Sequence, residues 1–459
     1  MNSALAAASG GPTGASVVLV APSAAGGLLR PPWPAALAAA AHAAAAAAAT
    51  ATAAGRGRRP GVTLGRARSA LRENRVAICL RPPGTGKSFA MHCCIEQTLA
   101  LGGRVLLTSP RAQLVSRMRA RYGRRIDIET CAAACGLMED GNNPAACNGH
   151  AGLYALEIVD EVSQLCAEDF VRIVRSWLQR DRICAFAFCG DKFQMSGFGT
   201  ERPWDTRLWR THAYVTQLHE LYRCKDAEYN RMLQATRTAK PHNDVVKKFN
   251  RHRAWPARSP TVADIRKVLQ CHPRTTMMAF TRRGAATLNA LALEAKHPRK
   301  APLAVIAGDV EANPDNYAGG RLKAPSGLTP MPLPVYIGMP LYLTRNVMKD
   351  LDYVNGMAAT VLNFNIVTGG LRVQTDTGKR ILVTPWSDPA LENMTYYPAR
   401  LGYASTVMKF QGAELDHVTL YLDAKGVPGG AYTAASRVRH GKDFLVGGVA
   451  TADHFTPAL

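Results

Sequence analysis

Between residues 76 and 448 the chain repeats short, unbroken apolar runs: VAICL (76–80), RVLLTS (104–109), ALEIVDE (155–161) and RICAFAFCG (182–190). YVTQL (214–218), TMMAFT (276–281), HVTLYLD (417–423) and DFLVGG (443–448) continue the series. Runs of this length with little alternation predict strands buried on both faces. Helix-like segments lie between many of them, and strands flanked by helices argue for parallel α/β sheets. Residues 330 to 390 break the pattern. VYIGMPLYLTRN, AATVLNFNI, GLRVQTDTG and KRILVTPW are short and are separated by turn signals such as Asn355-Gly356 and Gly369-Gly370. They predict a small antiparallel barrel inserted into an α/β domain.

The first 60 residues are of another kind, rich in Ala, Gly, Pro and Ser, and the first acidic residue of the chain is Glu73. Such composition buries little apolar surface and predicts a disordered leader with one isolated Ala helix. An acid-free N-terminus also suits an organelle transit peptide, so a mitochondrion or other organelle stays open beside the favoured nucleus. The late clustering of Arg56, Arg58 and Arg59 favours a leader without an address. The run Ala35–Ala54 has the length of a membrane span but is mostly methyl groups, which suits a surface or disordered helix. With 459 residues, two or three domains are expected. The 56 Lys and Arg against 34 Asp and Glu leave +22, which favours a polyanionic partner. Eleven cysteines scattered through apolar runs suit reduced, buried thiols. Cys131, Cys135, Cys147 and His150 lack the tight pair of a zinc site.

The chemistry begins at RPPGTGKS (81–88), whose last five residues match the end of a phosphate-binding loop. A strand precedes it and SFAMHCCIEQTLA follows as a helix. In that setting Gly84, Thr85 and Gly86 present amides to phosphate, Lys87 neutralises it and the Ser88 hydroxyl can hold Mg²⁺. The strand ALEIVDE ends in two acids: Asp160 would hold the metal through water and Glu161 would polarise the attacking water. CAFAFCG runs into Gly190-Asp191-Lys192-Phe193-Gln194, which puts Gln194 near the γ-phosphate edge. Arg223 in LHELYR and Arg437 in YTAASRVRH lie far along the chain, and taken singly each reads as a surface charge.

Together these pieces resemble superfamily 1 helicases of the Pif/RecD branch over roughly residues 70 to 450. The resemblance rests on PPGTGKS, IVDEVSQL, CGDKFQ, LHELYR, MAFTRR, VNGMAATVL, YASTVMKFQGAELDHVTLYL and YTAASRVRH, in that order. It implies a leader (1–60), a RecA-like domain (61–205), the first part of a second RecA-like domain (206–290), an inserted SH3-like β-barrel (291–390) and the rest of the second domain (391–459). ATP and Mg²⁺ would sit between the two domains. Lys87, Ser88, Asp160, Glu161 and Gln194 would serve from the first; Arg223, Arg437, Gly412 and Glu414 would serve from the second. Single-stranded DNA would cross both domains, contacting Thr108, Ser109, Thr406, Lys409 and Gln411 mostly through phosphates. The implied protein is a monomeric DNA motor without membrane attachment. It would act on single strands and duplex junctions, moving 5′ to 3′, in repair, recombination or telomere maintenance. The chain departs from the family in carrying Arg81 for the first loop glycine, Met408 for a histidine and Met195-Ser196-Gly197 for a proline-rich stretch. It also has no glutamine between Val62 and Leu80 to read adenine. A viral-type RNA helicase of the same superfamily, and a nucleic-acid-binding protein with a degraded ATPase, are the competing readings.

Overall fold

Two parallel sheets carry the chain's buried strands. The computed structural model describes residues 76–80, 87–137, 154–178, 185–197, 201–212, 214–216, 224, 226–318 and 321–459. The leader, Arg81, Gly84, Thr85, Gly86, Cys147, His150 and Arg223 lie outside the described residues. The first sheet comprises β1 (Val76–Leu80), β2 (Val105–Ser109), β3 (Asp127–Thr130), β4 (Leu156–Val159), β5 (Ala185–Gly190) and β6 (Tyr214–Thr216). They run parallel in the order β3-β2-β4-β5-β1-β6. Every residue of β2, β4 and β5 is buried, which accounts for their unbroken apolar sequence. Because the strands are parallel, the residues after β2, β4 and β5 emerge on one edge. That edge is where ligands bind in open α/β sheets.

The second sheet is built from Ala404–Thr406, β8 (Thr275–Ala279), His417–Tyr421, Phe444–Gly447 and β7 (Arg253–Trp255), in that spatial order and all parallel. The helix Arg282–Lys296 follows β8 and is fixed at its start by Asp423. One Asp423 carboxylate oxygen accepts from the Phe280 amide at 2.7 Å and the other from the Thr281 amide at 3.1 Å. Gly284 leaves room for that carboxylate, since a Cβ there would lie 2.1 Å from Asp423 Oδ2.

A five-stranded antiparallel sheet of Arg380–Val383, Gly370–Thr375, Ala358–Asn365, Pro340–Leu343 and Ala399–Leu401 interrupts the second domain. Leu341, Leu343, Val361, Leu371, Val373, Ile381 and Val383 fill a core of its own. Gly356, at φ +89°, takes the left-handed turn of the Asn355-Gly356 pair.

Three expected boundaries move. β6 pairs with β1, so the first domain extends past 205 to at least Thr216. The helix Arg282–Lys296 buries Leu288, Ala292 and Ala295 in the second domain, which therefore runs past 290. Ala399–Leu401 hydrogen-bonds to Pro340–Leu343, so the insertion closes beyond 390. Among the described residues no helix is long and apolar enough to cross a membrane.

Candidate nucleotide site and basic cleft

At the carboxyl edge of the first sheet, the Asp160 amide donates to the Thr108 carbonyl at 2.9 Å and holds the chain as it leaves β4. Glu161 then turns left-handed at φ 60° and ψ 45°. A side chain in that region costs about 1–2 kcal/mol, a form of strain that gathers at functional sites. The Asp160 carboxylate accepts from the Glu161 amide at 3.0 Å. Burial, together with the adjacent Glu161 charge, pushes the Asp160 carboxyl up, and Lys87 pulls it back. Lys87 opens the helix Lys87–Ala100 and Ser88, exposed, is its second residue.

These groups fit a hard divalent cation. Asp160 and Ser88 offer oxygen donors, and a bound cation would offset the burial that pushes the Asp160 carboxyl up. Among the described residues no cluster of three or more His, Cys, Asp or Glu could cage a metal alone. Mg²⁺ held by one carboxylate, a hydroxyl, waters and substrate phosphates needs no such cage. Cys131 and Cys135 are buried, and burial pushes the Cys131 thiol up to about 12, far from a ready metal ligand.

The second domain reaches this site. Gln411, expected on DNA, is instead buried, and its amide donates to Ser163 Oγ at 3.1 Å and to Glu161 Oε2 at 3.5 Å. The correction follows from the turn after Val407–Phe410, which directs the stretch into the domain interface. Gly412, at φ +81°, lies beside it, and a Cβ there would stand 3.3 Å from Glu161 Oε1. Gln194 is buried at the same interface, with its Oε1 lacking a hydrogen-bond partner.

Arg437 and Glu414 both bond within the second domain. Arg437 is 2% exposed and donates to the Thr433 carbonyl at 2.9 Å, the Ala413 carbonyl at 3.3 Å and Ser436 Oγ at 2.8 Å. A buried guanidinium needs its donors satisfied, and these three bonds all go to its own domain. Glu414 pairs with Arg439.

A second group of residues lines the seam between the first domain, the second domain and the insertion. Lys409 Nζ donates to Asn355 Oδ1 at 3.2 Å. Burial first, then Arg400 and Arg111, bring the Lys409 ammonium down to about 7. Arg111, from the first domain, donates to the Met408 carbonyl, and burial lowers it to about 10 against the pull of Glu161. Arg400 is likewise lowered by burial; it donates to Ser405 Oγ at 2.9 Å and lies over the Tyr342 ring. Thr406 is half-buried at the end of its strand. Desolvated cations set this close repel one another, and an anion would relieve them. Thr108 and Ser109 do not join this seam. Thr108 is buried and donates to the Ile158 carbonyl at 3.2 Å, and Ser109 is fully buried. Both end β2, and Cys131 closes over the first of them, its thiol donating to Thr108 Oγ1 at 3.6 Å. Arg111, Asn355 and Arg400 were not distinguishable in the sequence among 56 basic residues and ordinary turn residues.

Comparison with known proteins follows the same lines. Residues 66–254 match a family model described as an AAA domain. A stretch of 97 residues is 33% identical to the ATP-dependent DNA helicase Pif1 of Bdellovibrio bacteriovorus, covering 20% of this chain and 22% of that protein. The curated relative is thus matched over about a fifth of its length. In fold the chain is similar to the Pif1 helicase of Candida albicans, with TM-score 0.60 and 17% identity over 85% of this chain and 95% of that one. It is also similar to Bacteroides Pif1 solved with ADP-AlF3 and single-stranded DNA, with TM-score 0.59 and 16% identity over 85% and 93%. The α/β, RecA-like fold is that of the Pif1 helicases.

Proposed function

We propose that the chain is an ATP-dependent DNA helicase of the Pif-like superfamily 1 type. The observation that carries this reading is the seating of Gln411, from the second domain, on Glu161 of the first. A hydrolysis site completed from both domains ties nucleotide turnover to their relative position. In this reading Gly84, Thr85, Gly86 and Lys87 bind the phosphates of ATP, Glu161 orients and polarises water, and Gln194 senses the γ-phosphate. Ser88 and Asp160 would hold Mg²⁺, which when bound neutralises phosphate charge. Arg223 is the arginine assigned to the charge developing on the γ-phosphate. Lys409, Thr406, Arg111 and Arg400 bind backbone phosphates of single-stranded DNA, so grip does not depend on sequence.

The proposal extends to the finer architecture: an SH3-like barrel as the insertion and a disordered leader. It extends also to a monomeric motor that walks 5′ to 3′ and opens duplex junctions, with a nuclear or organellar address and work in repair, recombination or telomere maintenance. The similarity of fold to Bacteroides Pif1 solved with single-stranded DNA supports DNA over RNA. ATP hydrolysis measured with and without single-stranded DNA tests the reading, beside strand displacement on matched DNA and RNA forks. DNA should stimulate turnover many-fold, and Lys87→Ala should abolish it. Absence of hydrolysis in the wild-type protein would leave a binding protein; opening of RNA forks alone would make it an RNA helicase.

A further inference from the structure

The loop that follows β5 is more deeply engaged by the second domain than by its own. Asp191 is fully buried, and three donors surround it. The Phe193 amide, within the loop, donates to Oδ1 at 3.1 Å. Arg237 Nη2 donates to Oδ1 at 3.2 Å, and the Tyr432 hydroxyl donates to Oδ2 at 3.0 Å. Arg237 ends the helix Ala227–Arg237, which packs in the core of the second domain through Tyr229, Met232 and Leu233; Tyr432 lies on the helix Gly430–Ala435 of that domain. Two of the three donors therefore come from across the interface. The Arg237 guanidinium also lies 4.0 Å from the centre of the Phe193 ring, a cation–π contact.

The rest of the loop is held the same way. Phe193 and Met195 pack on the second domain's core. The Met195 amide donates to Thr433 Oγ1 at 2.9 Å. Gly429, at φ +67°, lets the backbones meet: a Cβ there would lie 2.9 Å from the Gln194 carbonyl carbon. Gln194 is thus gripped at the residues on either side of it, while its own Oε1 and the neighbouring Arg237 Nε are buried without partners among the described residues. Buried groups left unpaired are costly and mark a place where another arrangement supplies the partner.

We propose that Arg237 is the positioning residue by which the second domain holds the loop Gly190–Met195 and, on closure, sets Gln194 against the γ-phosphate of ATP. This rests on the helicase reading and adds to it the connection between domain motion and hydrolysis. Asp191 is the handle, Arg237 and Tyr432 the grip. A buried carboxylate in this grip turns with the second domain instead of following its own sheet.

The test compares Arg237→Ala, Arg237→Lys and Tyr432→Phe with the wild-type chain, measuring basal and DNA-stimulated ATP turnover, KM for ATP and single-stranded DNA affinity. Arg237→Ala should lower the ratio of stimulated to basal kcat by roughly 2- to 30-fold, the range of coupling changes at sites that touch neither ligand. KM and DNA affinity should stay near wild type. Arg237→Lys, which keeps the charge but loses the planar fork, should recover part of the ratio. Tyr432→Phe should give a smaller loss of the same kind. A merely structural role would lower both rates alike, together with the denaturation midpoint, and would overturn the proposal. An unchanged ratio in Arg237→Ala would do so too. Should Arg237→Ala fail to fold, Tyr432→Phe decides by the same ratio. A wild-type chain without DNA stimulation defeats the helicase reading itself; a stimulated wild type with an unchanged ratio in the variants defeats only the role of Arg237.

Discussion

Titrating DNA binding through neutral pH reads Lys409 directly. Its ammonium is brought from 10.5 down to about 7, by burial first and then by Arg400 and Arg111, with Arg282 adding to the lowering and Glu311 opposing it. The free protein therefore holds Lys409 about half protonated at pH 7, and mostly neutral at pH 8. A phosphate placed on the seam restores a strong opposite charge and drives the ordinary value back up. Binding then takes up about half a proton at pH 7 and approaches one proton by pH 8. The Kd for single-stranded DNA should accordingly be nearly flat from pH 5.5 to 6.5 and rise by up to about tenfold per unit above pH 7. Stability has the opposite sign. A lysine depressed by folding binds more protons when unfolded, so between about 7 and 10.5 the folded chain gains stability from this site as pH rises; below that window the site costs stability. Fluorescence anisotropy with labelled oligonucleotide at fixed ionic strength measures the affinity, and calorimetry in buffers of different ionisation heat counts the proton. Lys409→Met should bind weakly with no such slope between pH 7 and 8.5. A wild-type affinity flat across that range, or the same slope in Lys409→Met, would refute the reasoning.

Gly412→Ala places a Cβ 3.3 Å from Glu161 Oε1 on a backbone at φ +81°, so it should lower ATP turnover by about tenfold, the effect of roughly 1–2 kcal/mol of left-handed strain falling on the catalytic acid. Steady-state hydrolysis checks it. Gly284→Ala drives a Cβ into Asp423 Oδ2 and should destabilise the second domain by about 2–3 kcal/mol through overpacking and the amides left unpaired at Phe280 and Thr281, seen as a lower urea midpoint. Arg117→Ala breaks an exposed ion pair between the first domain and Asp376 of the insertion, and should change stability by less than about 1 kcal/mol in the same assay.

What could be read from the sequence divides by burial. VAICL, RVLLTS and CAFAFCG announce strands because a central parallel strand is apolar on both faces, and the glycine, lysine and acid residues that follow mark the edge where chemistry gathers. The strands DIET (127–130), RAW (253–255) and AST (404–406) escape notice because each lies at a sheet edge, is short and carries polar residues. Site roles divide differently. The grouping of Lys87 with Asp160 and Glu161 could be anticipated because each comes just after a strand of one parallel sheet. Gln411 could not, because its partners Glu161 and Ser163 depend on how two domains meet. Glu161 lies 250 residues before Gln411, a separation that local pattern does not span.

That dependence is also why the interface explains more of this molecule than either sheet. The first domain contributes the acid pair Asp160–Glu161 with Lys87 acting on it, while the second contributes Gln411 and Lys409. Arg111 stands between the two sites: its guanidinium bonds to the Met408 carbonyl, next to Lys409, and feels the charge of Glu161. In the helicase reading, a shift that draws Lys409 toward a DNA phosphate would move Met408, and with it Arg111 beside Glu161. The same short segment, Met408 to Gly412, carries Lys409 at one end and the contacts to Glu161 at the other. Coupling between strand binding and hydrolysis needs no longer path than those five residues.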